Sequence, residues 1–455
     1  MTAPRTTASV ELDPQFRTRA YDPLVPTDLL FDEVQQRRET GYDVDDVVRE
    51  ANATDPDDRE AVLALVDALS DATRGGPWPY EEPDDPQAIA EAVSPAAPAA
   101  RPDPATLSDR IHAAWLGRIA GCNLGKPVEW GWDWTVETIR DYLEKADAYP
   151  LRDYFPVLDP MPEGYEFRDN WPETTRGRVD GSARDDDIDY PILALHLLER
   201  HGDLLRTEHV TEAWLNLFPI AQVFTAERAA YINLVSGVPI PETARRRNPY
   251  REWIGAQIRG DVFGMVHAGD PWAAARHSMR DAVLSHVGNG IYGEMWSAAL
   301  VAAAFGAESA EEAVLTSMTV LPPGSRLAEA LAHVVRLRRS GHTWEAALQA
   351  VRDAYGHYAW VHTINNAAAV AVALLWSEGD YTTAVGRVVM SGWDTDSNGA
   401  TVGSVMGILV GRDALPAHFV EPLRDSTRSA LFGFDNSAIS DLAHRTARVA
   451  SELHC

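Results

Sequence analysis

Apolar residues recur every three or four positions through most of the chain beyond residue 108, the spacing that buries one face of an α-helix. Strand-like alternation of apolar and polar residues is scarce over the same region. The pattern therefore predicts an all-α domain with helices at 108–122, 135–146, 187–200, 208–235, 241–262, 271–283, 291–307, 311–320, 326–339, 343–356, 364–376, 381–390, 397–411 and 438–453.

The first hundred residues follow a different pattern. Residues 30–73 show helical periodicity in an acidic setting, as at Val62, Leu65 and Leu69. Prolines then recur from Pro77 to Pro104, a density typical of a linker or of an arm that wraps a surface. We therefore expect an N-terminal helical appendage with a proline-rich linker over residues 1–105, and the main all-α domain over residues 106–455.

Glycine recurs at every fourth position in two of the predicted helices. This spacing puts all the glycines of a helix on one face, which costs helix stability unless another backbone must come close. The two stripes therefore predict helices that cross tightly in the centre of the domain. They consist of Gly117, Gly121 and Gly125, and of Gly399, Gly403, Gly407 and Gly411.

Two clusters of aspartates each open an apolar helical run. The first comprises Asp185, Asp186, Asp187 and Asp189, and the second comprises Asp394 and Asp396, followed by Ser397. A single aspartate before a helix is usually an N-cap, but these clusters exceed what a cap requires. Carboxylates that share a small site need protons or cations, and oxygen ligands suit hard divalent ions. The clusters therefore predict a site for Mg²⁺, Mn²⁺ or Ca²⁺.

Composition narrows the class of protein. The formal net charge is −28, from 68 acidic against 40 basic residues, a balance that repels nucleic acid and anionic membranes. The two cysteines, Cys122 and Cys455, provide neither a disulfide framework nor a cysteine-based zinc site. Neither an apolar signal core at the N-terminus nor any run of 18 apolar residues occurs. These features predict a cytoplasmic protein that binds neither membranes nor nucleic acid, and they leave the oligomeric state open.

Four motifs, in this order, resemble those of the ADP-ribosylglycohydrolase family, also called the dinitrogenase-reductase-activating glycohydrolase family. They are RIHAAWLGRIAGCNLGKPVEW at 110–130, the aspartates at 185–189, SHVGNGIYGE at 285–294 and GWDTDSNGATVG at 392–403. The resemblance covers roughly residues 106 to 450. The two aspartate motifs together are specific, whereas the histidine and Pro-Val-Glu motifs alone are weak.

The resemblance implies a fold, a cofactor and a reaction. The fold is an all-α orthogonal helical bundle that holds two Mg²⁺ or Mn²⁺ ions. These ions bind the ribose hydroxyls of ADP-ribose while its C1″ bond is hydrolysed. By position, the implied metal ligands are Asp186, Asp187, Asp394, Asp396 and Ser397.

The resemblance also implies residues beside the metals. Glu129 matches the glutamate that serves as acid or base in part of the family, and the less favoured alternative is a surface carboxylate beside Trp130. His286 matches a histidine that lines the ligand cleft, although a lone histidine is more often structural. Glycines beside it would let a ligand approach the backbone. The implied substrate-binding residues are His286, Gly288, Asn289 and Gly290.

The chain departs from the family pattern at two positions of the first cluster. Asp185 and Ile188 stand where the family usually has threonines. A carboxylate in place of a hydroxyl adds a possible metal ligand and raises cation affinity, whereas Ile188 removes a polar contact. The number of metals and the substrate therefore stay open, and Asp185 and Asp180 are alternatives to Glu129 as the acid or base.

Residues 147–182 form a connection too long for an ordinary loop, and this length indicates a functional role. Aromatic residues crowd this connection and the stretch before it, where they either stack on a ring of the ligand or pack in the core. These residues are Trp130, Trp132, Trp134, Tyr154, Phe155, Tyr165, Phe167 and Trp171. Arg118 and Arg184 are candidates to balance carboxylates or to bind a phosphate.

These observations predict a divalent-metal-dependent hydrolase that cleaves the C1″ glycosidic bond of an ADP-ribosyl compound, acting on a small molecule or an ADP-ribosylated partner. One alternative is an enzyme of the same fold that acts on another nucleoside or ribosyl glycoside, which an activity screen would distinguish. A second is a catalytically inactive homologue that binds a ligand or has a structural role. Retention of the five matched ligand positions argues against the second alternative.

Overall fold

The structure, a computed structural model, describes residues 9–16 and 20–453. Within these residues the chain consists of α-helices joined by 3-10 turns and loops, with isolated β-bridges but no extended strand. The all-α fold predicted from the hydrophobic pattern is confirmed. The N-terminal part contains α1 (Pro26–Glu39), α2 (Asp45–Ala51), α3 (Arg59–Ala68) and α4 (Pro86–Ala92).

The main part of the chain contains seventeen α-helices among its described residues, and α13 and α17 are buried along their whole length at the centre of the core. None of the described helices is long and apolar enough to cross a membrane. The seventeen are α5 (Pro104–Gly125), α6 (Val136–Lys145), α7 (Trp171–Thr174), α8 (Asp186–His201), α9 (Thr207–Leu217), α10 (Thr225–Val235), α11 (Asp261–Val266), α12 (Pro271–Ala282), α13 (Asn289–Ala304), α14 (Ala310–Ser317), α15 (Arg326–Arg339), α16 (Trp344–Tyr355), α17 (Thr363–Leu375), α18 (Tyr381–Met390), α19 (Thr395–Val410), α20 (Ala417–Val420) and α21 (Ile439–Glu452).

Helices α5 and α19 run antiparallel with their backbones in contact. A Cβ atom on Gly117 would overlap the carbonyl oxygen of Gly403, and one on Gly121 would overlap that of Gly399. At the end of α5, a Cβ atom on Gly125 would overlap the backbone of Thr395, the first residue of α19. The prediction of a tight central crossing is confirmed, and the crossing joins the end of α5 to the start of α19.

Two of the predicted helices differ from the structure. The segment 208–235 divides into α9 and α10, because Pro219 interrupts the helical hydrogen bonds between them. The prediction of a helix over 241–262 is wrong for most of its length: 3-10 turns and bends precede the short α11. Pro249 lies in the middle of this segment, where it removes a backbone donor and restricts the residue before it.

The N-terminal helices have a small hydrophobic core of their own around Leu30, Val48 and Leu65. Buried polar contacts join one of these helices, α1, to the main part of the chain. Arg251 Nη1 donates a hydrogen bond to Glu33 Oε2 at 2.6 Å, and Gln36 Nε2 donates one to Glu252 Oε2 at 2.8 Å.

The proline-rich segment that follows lies along the surface of the main part. Arg326 Nε donates a hydrogen bond to Glu82 Oε1 at 2.9 Å, and the backbone N–H of Ala99 donates one to Gly269 O at 2.8 Å. Prolines cannot donate backbone hydrogen bonds, so a segment that is extended on both sides of the short α4 and held by a few anchoring contacts suits this composition.

Candidate functional site

Three chain segments meet at the end of α5. Thr395 Oγ1, in the first turn of α19, donates a hydrogen bond to the carbonyl oxygen of Gly125 at 2.9 Å. Ser397 Oγ donates one to Asp187 Oδ2 at 2.9 Å, and so links the first turns of α19 and α8. The two aspartate clusters predicted from the sequence therefore face each other, and the crossing of α5 and α19 places both beside the Gly-Lys-Pro-Val-Glu stretch.

Helix starts fix the aspartates of both clusters. Asp185 is the N-cap of α8, where its Oδ1 accepts the backbone N–H of Asp187 at 2.9 Å. In the second cluster, Asn366 of α17 accepts the backbone N–H of Asp394 with its Oδ1 at 3.1 Å. Trp393, the residue before, has a φ of 62°, a costly conformation for a tryptophan that is typical of functional turns. The backbone thus directs each carboxylate inward before any ligand is present.

The cluster holds more negative charge than burial readily allows. Burial, and then the charge of Asp185, raises the pKa of Asp186 to about 6 and that of Asp187 well above its usual value. Burial, and then the charge of Asp396, raises the pKa of Asp394 strongly as well as that of Glu129, to about 8. With their pKa values raised this far, Asp187, Asp394 and Glu129 would hold protons near neutral pH unless a cation replaced them.

Basic side chains, Lys126 and Arg118 among them, partly balance the carboxylates. The ammonium of Lys126 lies 2.8 Å from Asp396 Oδ2 and 2.7 Å from Glu129 Oε2, and it also contacts Asp185 Oδ2. The pKa of Asp396 is lowered, because the charge of Lys126 and the hydrogen bond it donates outweigh the effect of burial.

Arg118 is fully buried on the other side of the cluster. Its Nε donates a hydrogen bond to the carbonyl oxygen of Asp187 at 2.9 Å, and its Nη1 lies 2.8 Å from Asp261 Oδ2. Arg118 was a candidate to balance carboxylates or to bind a phosphate. Its contacts are those of a residue that balances carboxylates and supports the start of α8.

The donor set fits a hard divalent ion. Ligand atoms of Asp185, Asp187 and Asp396 lie within 4.8 Å of one another, together with the thiol of Cys122, and those of Glu129, Asp394 and Asp396 form a second such group. Asp396 Oδ1 is buried and has no hydrogen-bond partner among the described residues, so it is free to bind a cation. Burial raises the pKa of the Cys122 thiol, which leaves oxygen as the chemically suited ligand atom.

A cavity of about 370 Å³ opens onto the aspartates. Its wall combines flat aromatic rings with guanidinium groups, the surfaces that suit a ring and a phosphate respectively. The aromatic residues of the wall are Tyr21, Trp130, Trp132, Phe224, Trp253 and Trp360, and the basic ones, besides Lys126, are Arg168, Arg184 and Arg228. Trp132 packs edge-on against Trp130 and Trp360, with ring centroids 5.4 Å and 5.7 Å apart.

The other residues predicted to bind substrate are not brought to this cavity. His286 is buried, bonded through Nδ1 to Ser285 Oγ at 2.8 Å, and lies behind Glu227 of the cavity wall, with its Nε2 4.0 Å from Glu227 Oε1.

The Gly-Asn-Gly stretch after His286 contacts the N-terminal part of the chain. Asn289 Nδ2 donates hydrogen bonds to Glu82 and Glu252, and the backbone N–H of Gly288 donates one to Asp84 Oδ1 at 2.6 Å. A Cβ atom on Gly290 would overlap the carbonyl oxygen of Arg251. Substrate binding by His286, Gly288, Asn289 and Gly290 gains no support from these positions.

The remaining candidates are divided between the cavity and its surroundings. Asp180 is 82% exposed and pairs with Arg424 at 3.2 Å, away from the cavity wall. Arg184 lines the cavity, where its Nε donates a hydrogen bond to Asp189 Oδ2 at 2.8 Å. Of the aromatic candidates, Trp130 and Trp132 line the cavity, whereas Trp134 stacks on Phe167 in the core at 5.3 Å. Tyr154, Phe155, Tyr165 and Trp171 also pack against the core.

Sequence reasoning missed several residues of the site. Lys126 lies inside a motif that was recognised, and a lysine after a buried glycine-rich helix was a usable signal. Asn366, Trp253 and Trp360 lie in segments whose pattern indicates only helix or loop, and no local signal links them to the aspartates. Tyr21 comes from the N-terminal part, which was expected to lie outside the site.

Comparisons with known proteins identify a family for the chain. The family model described as ADP-ribosylglycohydrolase matches residues 103–452. One of the solved structures that match is described as an ADP-ribosylglycohydrolase-related protein complex; it is 17% identical, with a TM-score of 0.45, over 76% of this chain and 99% of that one. No curated protein gives a significant match. With the family model matched over most of its length, the chain belongs to the ADP-ribosylglycohydrolase family.

Proposed function

We propose that this protein is a divalent-metal-dependent glycohydrolase that cleaves the C1″ glycosidic bond of an ADP-ribosyl compound. Membership of the family makes a hydrolase of glycosidic bonds the general expectation. The metal, Mg²⁺ or Mn²⁺, and the ADP-ribosyl substrate are the specific parts of the proposal.

One observation carries the proposal: the first turns of α8 and α19 direct their acidic side chains into a single cavity where protein cations balance only part of the charge. Ser397 holds Asp187 at 2.9 Å, and Asp396 Oδ1 is left without a hydrogen-bond partner. An isolated buried carboxylate oxygen of this kind is costly unless a proton or a cation binds it. The proposed metal ligands are Asp185, Asp186, Asp187, Asp394, Asp396 and Ser397.

A divalent ion bound by these groups would supply positive charge to orient two neighbouring ribose hydroxyls and the carbon that reacts. The protein itself provides the rest of the binding. Trp130, Trp132 and Trp360 offer ring faces and edges for a base, and Arg168 and Arg228 offer donors for phosphate oxygens. Carboxylates around the reacting carbon favour the positive charge that develops there as the bond breaks.

Glu129 is the proposed acid and base. Hydrolysis breaks the bond from C1″ to the leaving nitrogen or oxygen, joins a water oxygen to C1″ and moves one proton from water to the leaving group. The raised pKa of Glu129, about 8, allows its carboxyl group to hold that proton near neutral pH. Asp185, which also lines the cavity, is the second candidate.

The test compares hydrolysis of ADP-ribosyl-arginine, ADP-ribosyl-serine and free nucleosides with and without Mg²⁺ or Mn²⁺. We expect metal-dependent release of ADP-ribose, and we expect Asp187→Ala to lose both Mn²⁺ binding and activity while it keeps its helical circular dichroism. Asp180→Ala removes an exposed carboxylate outside the cavity and serves as the matched control. Unchanged Mn²⁺ affinity in both Asp187→Ala and Asp396→Ala would contradict the proposed metal site.

Two residues of the first aspartate cluster support an alternative substrate class. Asp185 replaces a family threonine, and Ile188 is fully buried in place of another. The additional carboxylate changes the charge beside the reacting ribose, so an enzyme of this fold that acts on another nucleoside or ribosyl glycoside is the alternative. Cleavage of free nucleosides, but of neither ADP-ribosyl compound, would establish it.

A further inference from the structure

The aspartate cluster contains a positively charged side chain of the protein itself, the ammonium of Lys126. The three nearest acidic groups to the Lys126 ammonium come from different segments: Asp185 caps α8, Asp396 lies in the first turn of α19, and Glu129 follows the 3-10 turn after α5. An ammonium has three N–H donors, and three carboxylates surround this one. The side chain is only 12% exposed, so water contributes little to its solvation.

Lysine is rare in this chain, and this makes the position of Lys126 informative. Of 40 basic residues, only two are lysines, Lys126 and Lys145, and the rest are arginines. An arginine carries a broad planar charge, whereas a lysine carries a compact, nearly spherical one that resembles a metal ion in size. Lys145 pairs with Asp141 on the surface. A compact charge is therefore kept where Asp185, Asp396 and Glu129 converge, whereas another convergence of three buried carboxylates is served by an arginine, Arg259.

The oxygens that Lys126 contacts belong to both candidate ligand groups. Asp185 belongs to the group with Asp187, Glu129 belongs to the group with Asp394, and Asp396 belongs to both. Two ions about 3.5–4 Å apart would need ligands from both of these groups. An ammonium that contacts carboxylates of both groups competes with a second ion for them, and its charge repels that ion.

We propose that Lys126 takes the place of one cation, so that the centre of this protein binds a single divalent ion. The groups left for that ion are Asp187, Ser397, Asp394 and the unpartnered Oδ1 of Asp396, with Asp186 beside them. The inference rests on the proposed metal-dependent function, and it concerns the number of ions rather than the substrate.

The test counts Mn²⁺ ions bound per chain by equilibrium dialysis with electron paramagnetic resonance detection of free Mn²⁺. We expect one ion for the full-length protein. Lys126→Met removes the charge but keeps an unbranched side chain of similar length, and it leaves three carboxylates to be neutralised. We expect this variant to bind a second ion.

Lys145→Met, which removes the surface lysine, is the matched control and should bind one ion. Circular dichroism and melting curves establish whether Lys126→Met is folded, and the count for the unaltered protein tests the proposal even if that variant is not. Two ions bound by the unaltered protein would overturn the role of Lys126 but leave a metal-dependent function intact. One ion in folded Lys126→Met would also overturn it. Absence of binding in the unaltered protein and in Lys126→Met would overturn both.

Discussion

Glu129, whose pKa is raised by burial and by the charge of Asp396, is the proposed acid and base. We predict that Glu129→Gln keeps metal and ligand affinity, because the amide preserves shape and hydrogen bonding, but lowers kcat by about 10²- to 10⁴-fold, the usual contribution of a positioned acid or base. Single-turnover kinetics on a confirmed substrate measure the effect. The same change at the exposed Glu163 is the control. If Glu129→Gln turned over normally, the proton transfer would have to be assigned to Asp185.

His362, the N-cap of α17, makes the fold sensitive to acid. Its Nδ1 accepts the backbone N–H of Ile364 at 3.2 Å, and burial lowers its pKa to about 3. The unfolded chain binds the proton more readily, so the stability due to the neutral ring is complete above pH 6.5 and is lost as the pH falls towards 3. Within this window the free energy of unfolding falls by up to about 1.4 kcal/mol for each pH unit.

His362→Asn keeps an N-capping side chain and removes the titrating group. We therefore expect the free energy of unfolding, measured from pH 7.5 to 5, to fall less steeply with acid in this variant than in the unaltered protein. The same change at the exposed His444 should leave the slope unchanged. Equal slopes for His362→Asn and the unaltered protein would show that the ring does not stay neutral in the folded state.

At the residue scale, the sequence was informative where the local conformation and the chemistry coincide. Aspartates in the first turn of a helix are visible as a motif, and the structure directs both clusters into one cavity. Asn366 could not be predicted in the same way, because its role depends on the approach of α17 to the start of α19. His286 was selected by a motif, but its environment is decided by burial behind Glu227.

At the element scale, the crossing of α5 and α19 places Glu129, which follows α5, beside the aspartates at the start of α19. We predict that Gly121→Ala lowers the free energy of unfolding by about 1–3 kcal/mol, the usual cost of overpacking, because the new methyl group would overlap the backbone of Gly399. Urea unfolding measures this change. Mn²⁺ affinity should fall in the same variant, since the end of α5 must move relative to α19.

Gly76→Ala is the control, because nothing lies within 4 Å of the added Cβ atom and the backbone there is not left-handed. A Gly121→Ala variant as stable as this control would show that the two helices can separate at no cost, and that the crossing does not determine the geometry of the site.

Helix positions were predictable where one apolar face of a helix packs against the core. The prediction failed where several short turns pack against the core instead. Helix α15 begins and ends as predicted, at Arg326 and Arg339. The segment 241–262 also carries spaced apolar residues, but its buried positions are reached by turns on both sides of Pro249. Periodicity reports which residues are buried, and it distinguishes helix from successive turns only when no proline intervenes.

At the scale of the whole molecule, the N-terminal part reaches the candidate site. The ring of Tyr21 packs against those of Trp132 and Trp253, with centroids 5.0 Å and 4.7 Å apart, and so completes the aromatic wall. Asp22 lies 3.6 Å from Arg228, another residue of the wall. The family match begins at residue 103, so this part of the wall lies outside the residues that the family model matches.

The division of the chain near residue 105 stays a prediction, and a truncated chain that begins at Thr106 tests it. The proposed metal ligands all lie beyond this point, so we expect the truncated chain to bind Mn²⁺ with a lowered melting temperature, because Arg251 and Arg326 lose their partners Glu33 and Glu82. Failure of this folded chain to bind Mn²⁺ would contradict the assignment of the metal site to the main domain.

The contribution of the N-terminal part to catalysis is tested in the full-length protein by Tyr21→Ala. Loss of the ring opens one side of the aromatic wall without touching the carboxylates, so we expect KM to rise about tenfold, roughly the value of one aromatic contact, while Mn²⁺ affinity is unchanged. Tyr80→Ala removes a tyrosine of the same N-terminal part that does not line the cavity, and should leave KM as it is. If Tyr21→Ala and Tyr80→Ala had equal KM values, residues 1–105 would act as an appendage that stabilises the domain, and the substrate would contact only the family domain.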